Sequence, residues 1–275
     1  MKKNTRTILR AILLLVFVAS TLLVLRQWKD NADGETAYAD AMAIAMQPPK
    51  QETPAVPHTV PADDAEEPVS SWVPVPVEGD SVVTEMAQIN ISALQEKNED
   101  VVGWIRIPDT RIDYPLMQGE DNDFYLNHTW EKQPNSVGSI FLEYLNSPEL
   151  TDYNTIVYGH NMNNKSMFGE LEHYALTEFW KNHPYVYIAT GVGVYRYEIF
   201  AFSQASVESL TYGLNPQRDD TKEKFLNLSL ENSQIDTGIV PPVTDRILTL
   251  STCSGADYAF RYVVQARLPM MEVTG

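Results

Sequence analysis

The sequence predicts a mainly β fold, built as a closed or nearly closed barrel of about eight strands with helical insertions. Eight short runs of β-branched and aromatic residues, each bounded by turn residues, support this prediction. Thr190-Gly-Val-Gly193, between the fifth and sixth runs, is a hairpin signal. Many short strands of this kind are typical of barrels. The runs lie at 101–107, 112–116, 138–142, 155–158, 185–188, 194–202, 246–253 and 261–268.

Helical periodicity precedes and interrupts these strands. Residues 86–98 place Met86, Ile89 and Leu94 on one face, which predicts a helix before the first strand. Shorter helical insertions are predicted at 165–173, 177–182 and 221–233. The chain shows no internal repeat, no glycine-rich phosphate loop and no metal-ligand spacing.

The charge and apolar pattern of residues 1–30 predicts a cytoplasmic tip followed by a membrane anchor. Four basic residues precede an uncharged apolar run at 11–25 that extends back to Ile8. An apolar span of about 18 residues just crosses a bilayer, whereas the apolar core of a signal peptide is usually about 7–15 residues long. Ala37-Tyr-Ala39 has the form of a cleavage site but lies far downstream, so we expect the anchor to stay uncleaved. The basic residues before the span predict an N-terminus in the cytoplasm and a single-pass protein whose bulk lies outside the cell membrane.

The composition of segment 31–81 predicts that it is an extended, mostly disordered linker. It is rich in alanine, acidic residues and proline, and such a composition buries little apolar surface. The remaining residues, 82–275, are enough for one catalytic or binding domain with its own core.

Charge and cysteine content restrict the function. The formal net charge is −17 although the anchor region is basic, so the part outside the membrane is strongly acidic. This argues against a nucleic-acid partner, because phosphate binding needs a basic face. The single cysteine rules out an intramolecular disulfide framework. No feature calls for calcium or another metal, and we predict no cofactor.

The single cysteine, Cys253, ends a strand-like run, and Arg261 opens the next one. A lone cysteine is often only a small buried hydrophobe. The alternative is a nucleophilic thiol whose neighbouring arginine balances charge on a substrate. Strand parity puts Cys253 on the same face as Thr249 and Ser251, which favours an accessible groove over a core. Of the five histidines, His160 is the best partner, since it ends an apolar strand while the others lie in loops, the linker or polar helical segments.

Three motifs together resemble the histidine, cysteine and arginine motifs of sortases, class B in particular. They are Tyr158-Gly-His-Asn-Met162, Thr249-Leu-Ser-Thr-Cys253 and Arg261-Tyr-Val-Val264. Further segments with this resemblance, in the same order and spacing, are Trp104-Ile-Arg-Ile-Pro108, Ile112-Asp-Tyr-Pro115, Asp121-Asn-Asp-Phe-Tyr-Leu126, Gly138-Ser-Ile-Phe-Leu142 and Ser166-Met-Phe-Gly169. The resemblance implies a sortase-like eight-stranded barrel over nearly all of the outer domain.

What the resemblance implies for function is a membrane-anchored cysteine transpeptidase of Gram-positive bacteria. Such an enzyme cleaves a C-terminal sorting signal of a secreted protein after threonine, holds the threonine as a thioester and passes it to an amine of lipid II, peptidoglycan or a pilin. Cys253 would be the nucleophile, His160 the acid/base, and Arg261 the partner of substrate and oxyanion. Asn122, Leu126, Ser251 and Tyr212 would contact the substrate, and the insertion between 202 and 246 would cover the groove.

Other functions remain open from the sequence. A papain-like wall hydrolase places its cysteine before its histidine, the reverse of the order here. A pilin-polymerising or hydrolysis-biased sortase fits the same residues. A catalytically silent, membrane-tethered binding module is disfavoured, because it has no need of Cys253, His160 and Arg261 together.

Overall fold

A computed structural model describes residues 2–48, 71–253 and 259–273. For residues 2–7, 71–72, 253 and 273 the description covers the backbone only. Residues 49–70 of the predicted linker, including His58, therefore lie outside the described residues.

Eight strands form a closed barrel. They are β2 (Val101–Arg106), β3 (Asp113–Met117), β4 (Ile140–Leu142), β5 (Asn154–Tyr158), β6 (Tyr185–Ala189), β7 (Val194–Ser206), β8 (Arg246–Cys253) and β9 (Phe260–Leu268). Their order around the barrel is β2-β3-β4-β5-β8-β9-β7-β6. The eight-stranded barrel predicted from the sequence is confirmed. Pairing is antiparallel except between β3 and β4 and between β5 and β8, which run parallel.

The barrel encloses the main hydrophobic core. Its largest fully buried side chains include Trp104, Trp130, Tyr125 and Tyr174. Trp104 shows how the core accommodates polar atoms, since its indole Nε1 donates to Asp113 Oδ1 at 2.5 Å. The core thus fixes the positions of the strand ends, where the predicted chemistry lies.

An additional strand pair was not predicted. β1 (Ser71–Pro74) pairs antiparallel with β10 (Met270–Val273), outside the barrel. Because β1 lies inside the predicted linker, that end of the linker prediction is wrong.

The long helix α1 (Lys2–Ala45) corrects the other end of the linker prediction. Residues 31–45 are helical rather than extended, because alanine-rich sequence without proline favours helix and one face packs on the barrel. Tyr38, Ala41 and Ala45 are buried in that contact. Residues 8–25 of the same helix are exposed, and α1 is long and apolar enough to cross a membrane.

The helix predicted at 86–98 is only partly correct. α3 (Ile91–Gln95) lies inside this range, whereas a separate short helix, α2 (Ser81–Met86), precedes it and shares only Met86 with it. Asn90 separates them, since its side chain caps α3 by accepting from the backbone N–H of Ala93.

The other helical predictions meet different outcomes. The insertion predicted at 177–182 is α4 (Thr177–Asn182), and the one at 221–233 is α5 (Asp219–Glu231). The helix predicted at 165–173 is wrong: its first half is turns, and a 3₁₀ helix spans Leu171–Ala175. Lys165 and Met167 there have φ of 64° and 53°, which is incompatible with a right-handed helix.

Candidate active site

The predicted histidine, cysteine and arginine lie at one edge of the barrel on neighbouring strands. In the parallel pair of β5 and β8, Tyr158 is aligned with Ser251. His160 lies two residues after Tyr158, and Cys253 lies two residues after Ser251. β8 and β9 are antiparallel, and Cys253 is directly opposite Arg261 at the last position of their register. Strand order and register therefore bring together three residues that are far apart in the chain.

A cavity of about 480 Å³ opens at this edge. It includes His160, Arg261 and all four predicted substrate contacts. Its lining residues are Asn122, Leu126, Phe141, Tyr158, Gly159, His160, Val207, Tyr212, Ser251, Thr252 and Arg261. Two other cavities of similar volume, about 450 and 470 Å³, include none of these residues. We call the cavity at the strand edge the groove.

His160 is held by backbone groups on both sides. Its Nε2 lies 2.7 Å from the carbonyl oxygen of Leu126. A carbonyl oxygen only accepts hydrogen bonds, so Nε2 carries a proton and Nδ1 is the ring nitrogen able to gain or lose one. The backbone carbonyl of His160 accepts from the N–H of Phe168 at 2.9 Å. The ring is therefore fixed in one orientation beside the groove.

Gly159 lets the chain pass through a crowded point just before His160. A Cβ at this position would lie 2.4 Å from Ile140 Cδ1 and 2.8 Å from Phe168 Cδ2. The backbone N–H of Gly159 donates to the carbonyl of Ser251 at 3.2 Å. This bond ties the end of β5 to β8 next to the predicted nucleophile.

Tyr212 and Ser251 form another part of the groove wall. Their hydroxyl oxygens lie 2.9 Å apart, within hydrogen-bonding distance. Tyr212 belongs to a 3₁₀ helix, Leu210–Tyr212, in the insertion between β7 and β8. The insertion thus contributes Val207 and Tyr212 to the groove, whereas α5 contributes no lining residue.

The expectation that the polar face of β8 is accessible is only partly correct. Thr249 on that face is fully buried and donates its hydroxyl to Asn154 Oδ1 at 2.7 Å. Ser251, the next residue on the same face, lines the groove. The face therefore opens only at its end, towards Cys253.

The sequence reasoning missed Glu143, which lies beneath the groove. This carboxylate is 7% exposed. Its Oε2 accepts from Asn122 Nδ2 at 2.7 Å and from the Tyr158 hydroxyl at 2.9 Å. The other amide atom of Asn122, Oδ1, accepts from the backbone N–H of Tyr144 at 3.1 Å. The hydrogen bonds at Nδ2 and Oδ1 together fix the orientation of the Asn122 amide. The sequence signal for the role of Glu143 was only that an acidic residue directly follows an apolar strand.

Charges around the groove act on Tyr158. Burial raises its pKa, the negative charge of Glu143 raises it further, and the guanidinium of Arg261 lowers it. The net pKa of Tyr158 is well above its ordinary value, so the hydroxyl stays protonated and donates to Glu143. Arg261 is partly buried, and its Nη1 donates to the carbonyl of Phe260 at 3.0 Å. A permanent positive charge thus lies at the groove next to the backbone position of Cys253.

No group of three or more His, Cys, Asp or Glu side chains suited to a metal ion occurs within residues 8–48, 73–252 and 259–272. Among these residues, the side chains that line the groove supply an imidazole, a guanidinium, hydroxyl groups and an amide. This set suits acid/base and electrostatic chemistry on a peptide carbonyl.

Comparison with known proteins agrees with this fold and site. Residues 105–269 match a family model described as a sortase domain. Sortase B of Listeria monocytogenes is 39% identical over 179 residues, which cover 64% of this chain and 72% of the relative. The structure of a Staphylococcus aureus sortase B-substrate complex superimposes with a TM-score of 0.63 and 30% identity, covering 70% of this chain and 90% of the other. Another structure of sortase B, complexed with triglycine, gives a TM-score of 0.63 and 29% identity, covering 70% and 92%.

The closed eight-stranded barrel and the match to these proteins in sequence and fold assign this chain to the class of cysteine transpeptidases. The chain belongs to the sortase family, in its class B.

Proposed function

We propose that this sortase cleaves a C-terminal sorting signal after its threonine and transfers the acyl-threonine to an amine of lipid II or peptidoglycan. The observation that carries the proposal is the register at the barrel edge. His160 and Cys253 follow an aligned pair in parallel strands, and Cys253 is opposite Arg261. Neighbouring strand ends hold chemical groups rigidly beside the same groove.

In the first step, the thiolate of Cys253 attacks the carbonyl carbon of the threonine. The carbon–nitrogen bond then breaks, and His160 gives its imidazolium proton to the leaving amine. The products are a thioester on Cys253 and a free C-terminal peptide. Protonation of the leaving group by a positioned imidazole is a usual form of general acid catalysis.

In the second step, an incoming amine attacks the thioester carbonyl. His160 accepts the proton that the amine loses, the carbon–sulfur bond breaks, and the thiolate is restored. Because Nε2 already donates to the Leu126 carbonyl, Nδ1 is the nitrogen that carries the moving proton.

Arg261 is proposed to stabilise the negative oxygen that develops in both steps. Its charge is permanent, so it cannot serve as the base. The directly opposed backbone positions of Cys253 and Arg261 support this role, since opposed residues of an antiparallel pair share one face of the sheet.

Asn122, Leu126, Ser251 and Tyr212 are proposed to contact the sorting signal, because all four line the groove. The fixed amide of Asn122 and the paired hydroxyls of Tyr212 and Ser251 are polar groups with defined orientation. Such groups are suited to a peptide backbone and polar side chains of a substrate.

The proposed location is a cell membrane, with the N-terminus in the cytoplasm and the barrel outside. The apolar part of α1 supports a span, and sortases as a family are membrane-associated. An uncleaved anchor is supported by Ala37-Tyr-Ala39, because this segment lies inside α1 and Tyr38 is buried against the barrel. Cleavage there would require the helix to leave its contact.

The proposal is tested with the full chain in detergent micelles, a sorting-signal peptide and triglycine as the amine. Release of the C-terminal peptide together with a ligated acyl-triglycine product supports transpeptidation. Release with only free acid identifies a hydrolysis-biased enzyme. In a parallel reaction with a lysine-containing pilin peptide in place of triglycine, ligation to that lysine alone identifies a polymerase. No release by wild-type protein with any tested signal would favour the silent binding module.

A further inference from the structure

The part of α1 beyond its apolar run packs on the segment that supports His160. Four contacts fall on residues 130–139. Trp130 Nε1 donates to the carbonyl of Ala37 at 2.8 Å, and Asn135 Nδ2 donates to the carbonyl of Asp30 at 2.9 Å. The Ser136 hydroxyl donates to Asp30 Oδ2 at 2.8 Å. The fourth contact is made by Tyr38.

Tyr38 makes the most buried of these contacts. Its hydroxyl donates to the carbonyl oxygen of Gly138 at 2.5 Å and lies 3.0 Å from Ser139 Oγ. Ser139 Oγ in turn donates to the carbonyl of His128 at 2.8 Å. Burial raises the pKa of Tyr38, so the hydroxyl keeps its proton and remains a donor.

Gly138 leaves no room for a side chain between itself and the histidine. It has φ of 63°, a conformation that favours glycine. A Cβ there would lie 2.9 Å from His160 Cδ2 and 2.7 Å from the Leu126 carbonyl oxygen, which is the atom that accepts from His160 Nε2. One residue therefore separates the Tyr38 hydroxyl from both the ring of His160 and its hydrogen-bond acceptor.

We propose that Tyr38 is a positioning residue for His160, and that the membrane-proximal part of α1 belongs to the catalytic apparatus. Tyr38 fixes Gly138 and Ser139, and these fix the Leu126 carbonyl that orients the imidazole. The helix that leaves the membrane thereby helps to set the geometry of proton transfer. As a statement about catalysis, this inference rests on the proposed function of His160.

The test compares two tyrosine variants in the full chain in detergent micelles. Tyr38→Phe removes the hydroxyl and keeps the ring. Tyr174→Phe is the matched control, because the Tyr174 hydroxyl donates to the carbonyl of His183 at 2.8 Å in a buried site and Tyr174 does not line the groove. Both variants lose one buried hydroxyl-to-carbonyl hydrogen bond.

We expect Tyr38→Phe to lower kcat for release of the C-terminal peptide several-fold while KM stays within about twofold, since the loss is in proton transfer rather than binding. Tyr174→Phe should keep the wild-type kcat even if its melting temperature falls. Equal kcat losses in both variants, or wild-type kcat in Tyr38→Phe, would overturn the proposal.

A second measurement needs no substrate and separates this inference from the proposed function. With ¹⁵N-labelled histidine, the Nε2–H of His160 should give an imidazole N–H resonance protected from solvent exchange. Tyr38→Phe should exchange this proton faster, and Tyr174→Phe should not. A proton that is unprotected in wild type, or equally protected in all three proteins, contradicts the positioning role whether or not peptide is cleaved.

Discussion

Cys253 and Arg261 are cross-strand partners at the last register position of the antiparallel pair β8 and β9. This β pairing makes the backbone position of the cysteine and a permanent positive charge neighbours. A shift of register by one residue would put Arg261 on the opposite face of the sheet. The pairing of β8 on its other side with β5 adds His160 to the same edge.

Arg261→Ala should lower kcat/KM by about 100-fold or more, the usual loss when a donor to a developing oxyanion is removed. Arg261→Lys should fall between wild type and Arg261→Ala, because lysine keeps the charge but loses the planar fork of donors. Steady-state kinetics of peptide release measure both.

The control for the arginine variants is Arg267→Lys, on the same strand. Arg267 pairs with Glu198 at 2.6 Å and Asp245 at 3.3 Å, away from the groove. This variant should keep wild-type kcat/KM. If Arg261→Ala matched wild type as well, the charge at the groove would have no part in the reaction.

Glu143→Gln should raise KM by about tenfold, the equivalent of one hydrogen bond to a charged group. When the amide oxygen accepts from Asn122 and Tyr158, the NH₂ group takes the place of Oε1 and faces another donor, the backbone N–H of Leu145, so the Asn122 amide is held less firmly. The dependence of initial rate on peptide concentration measures the change.

Glu149→Gln is the control for Glu143, because Glu149 is an exposed carboxylate that contacts Ser147. Its KM should equal that of wild type. An unchanged KM in Glu143→Gln would show that the carboxylate beneath the groove does not affect substrate binding.

Gly159→Ala should destabilise the fold by about 1–3 kcal/mol, the usual cost of forcing an extra group into a packed core. The new Cβ would meet Ile140 and Phe168 at 2.4 and 2.8 Å. Thermal unfolding of the full chain measures the loss. Gly191→Ala should leave stability unchanged, since nothing lies within 4 Å of a Cβ there. Equal melting temperatures for both variants would contradict the close packing before His160.

Asp80 should make stability depend on pH. Burial by itself raises the pKa of Asp80, but hydrogen bonds from Tyr187, the backbone N–H of Val83, Arg196 and the backbone N–H of Val82 outweigh it, so the pKa is lowered from its ordinary 3.8. A lowered folded-state pKa gives stability that is complete above 3.8 and is lost as the pH falls through the folded-state value.

Asp80→Asn should therefore be less stable than wild type at neutral pH, by about 1–2 kcal/mol, because asparagine keeps a capping oxygen but has no second oxygen to accept from Tyr187 and to pair with Arg196. The difference from wild type should shrink as the pH falls below about 4, because the wild-type carboxylate is then protonated too. Asp40→Asn, an exposed aspartate on α1, serves as the control. A difference that stays constant with pH would mean that the charge of Asp80 is not involved.

Much of the barrel and its site was predictable because the signals are local. Short β-branched runs predicted all eight barrel strands. The motifs predicted Cys253, His160 and Arg261 as site residues, and the strand register brings these three positions to one edge of the barrel. All four predicted substrate-contact residues line the groove. The order of strands around the barrel, in contrast, depends on pairings between residues far apart in the chain.

The features that sequence reasoning missed depend on tertiary contacts. Residues 31–45 have a composition that suits a linker as well as a helix, and contacts with the barrel domain, such as those of Tyr38 with Gly138 and of Trp130 with Ala37, decide for the helix. The role of Glu143 arises from two partners that approach it in space. The pairing of β1 with β10 joins one segment that precedes the barrel strands in sequence and one that follows them, which no local pattern indicates.

The most direct test of the catalytic account is intact-protein mass spectrometry of the full chain mixed with a sorting-signal peptide, before and after triglycine is added. Wild type should gain the mass of the acyl fragment on Cys253, then lose it to triglycine as a ligated peptide. Cys253→Ala should show neither the adduct nor the product. Cleavage that persists in Cys253→Ala, or a ligated product formed without an adduct on Cys253, would contradict the account.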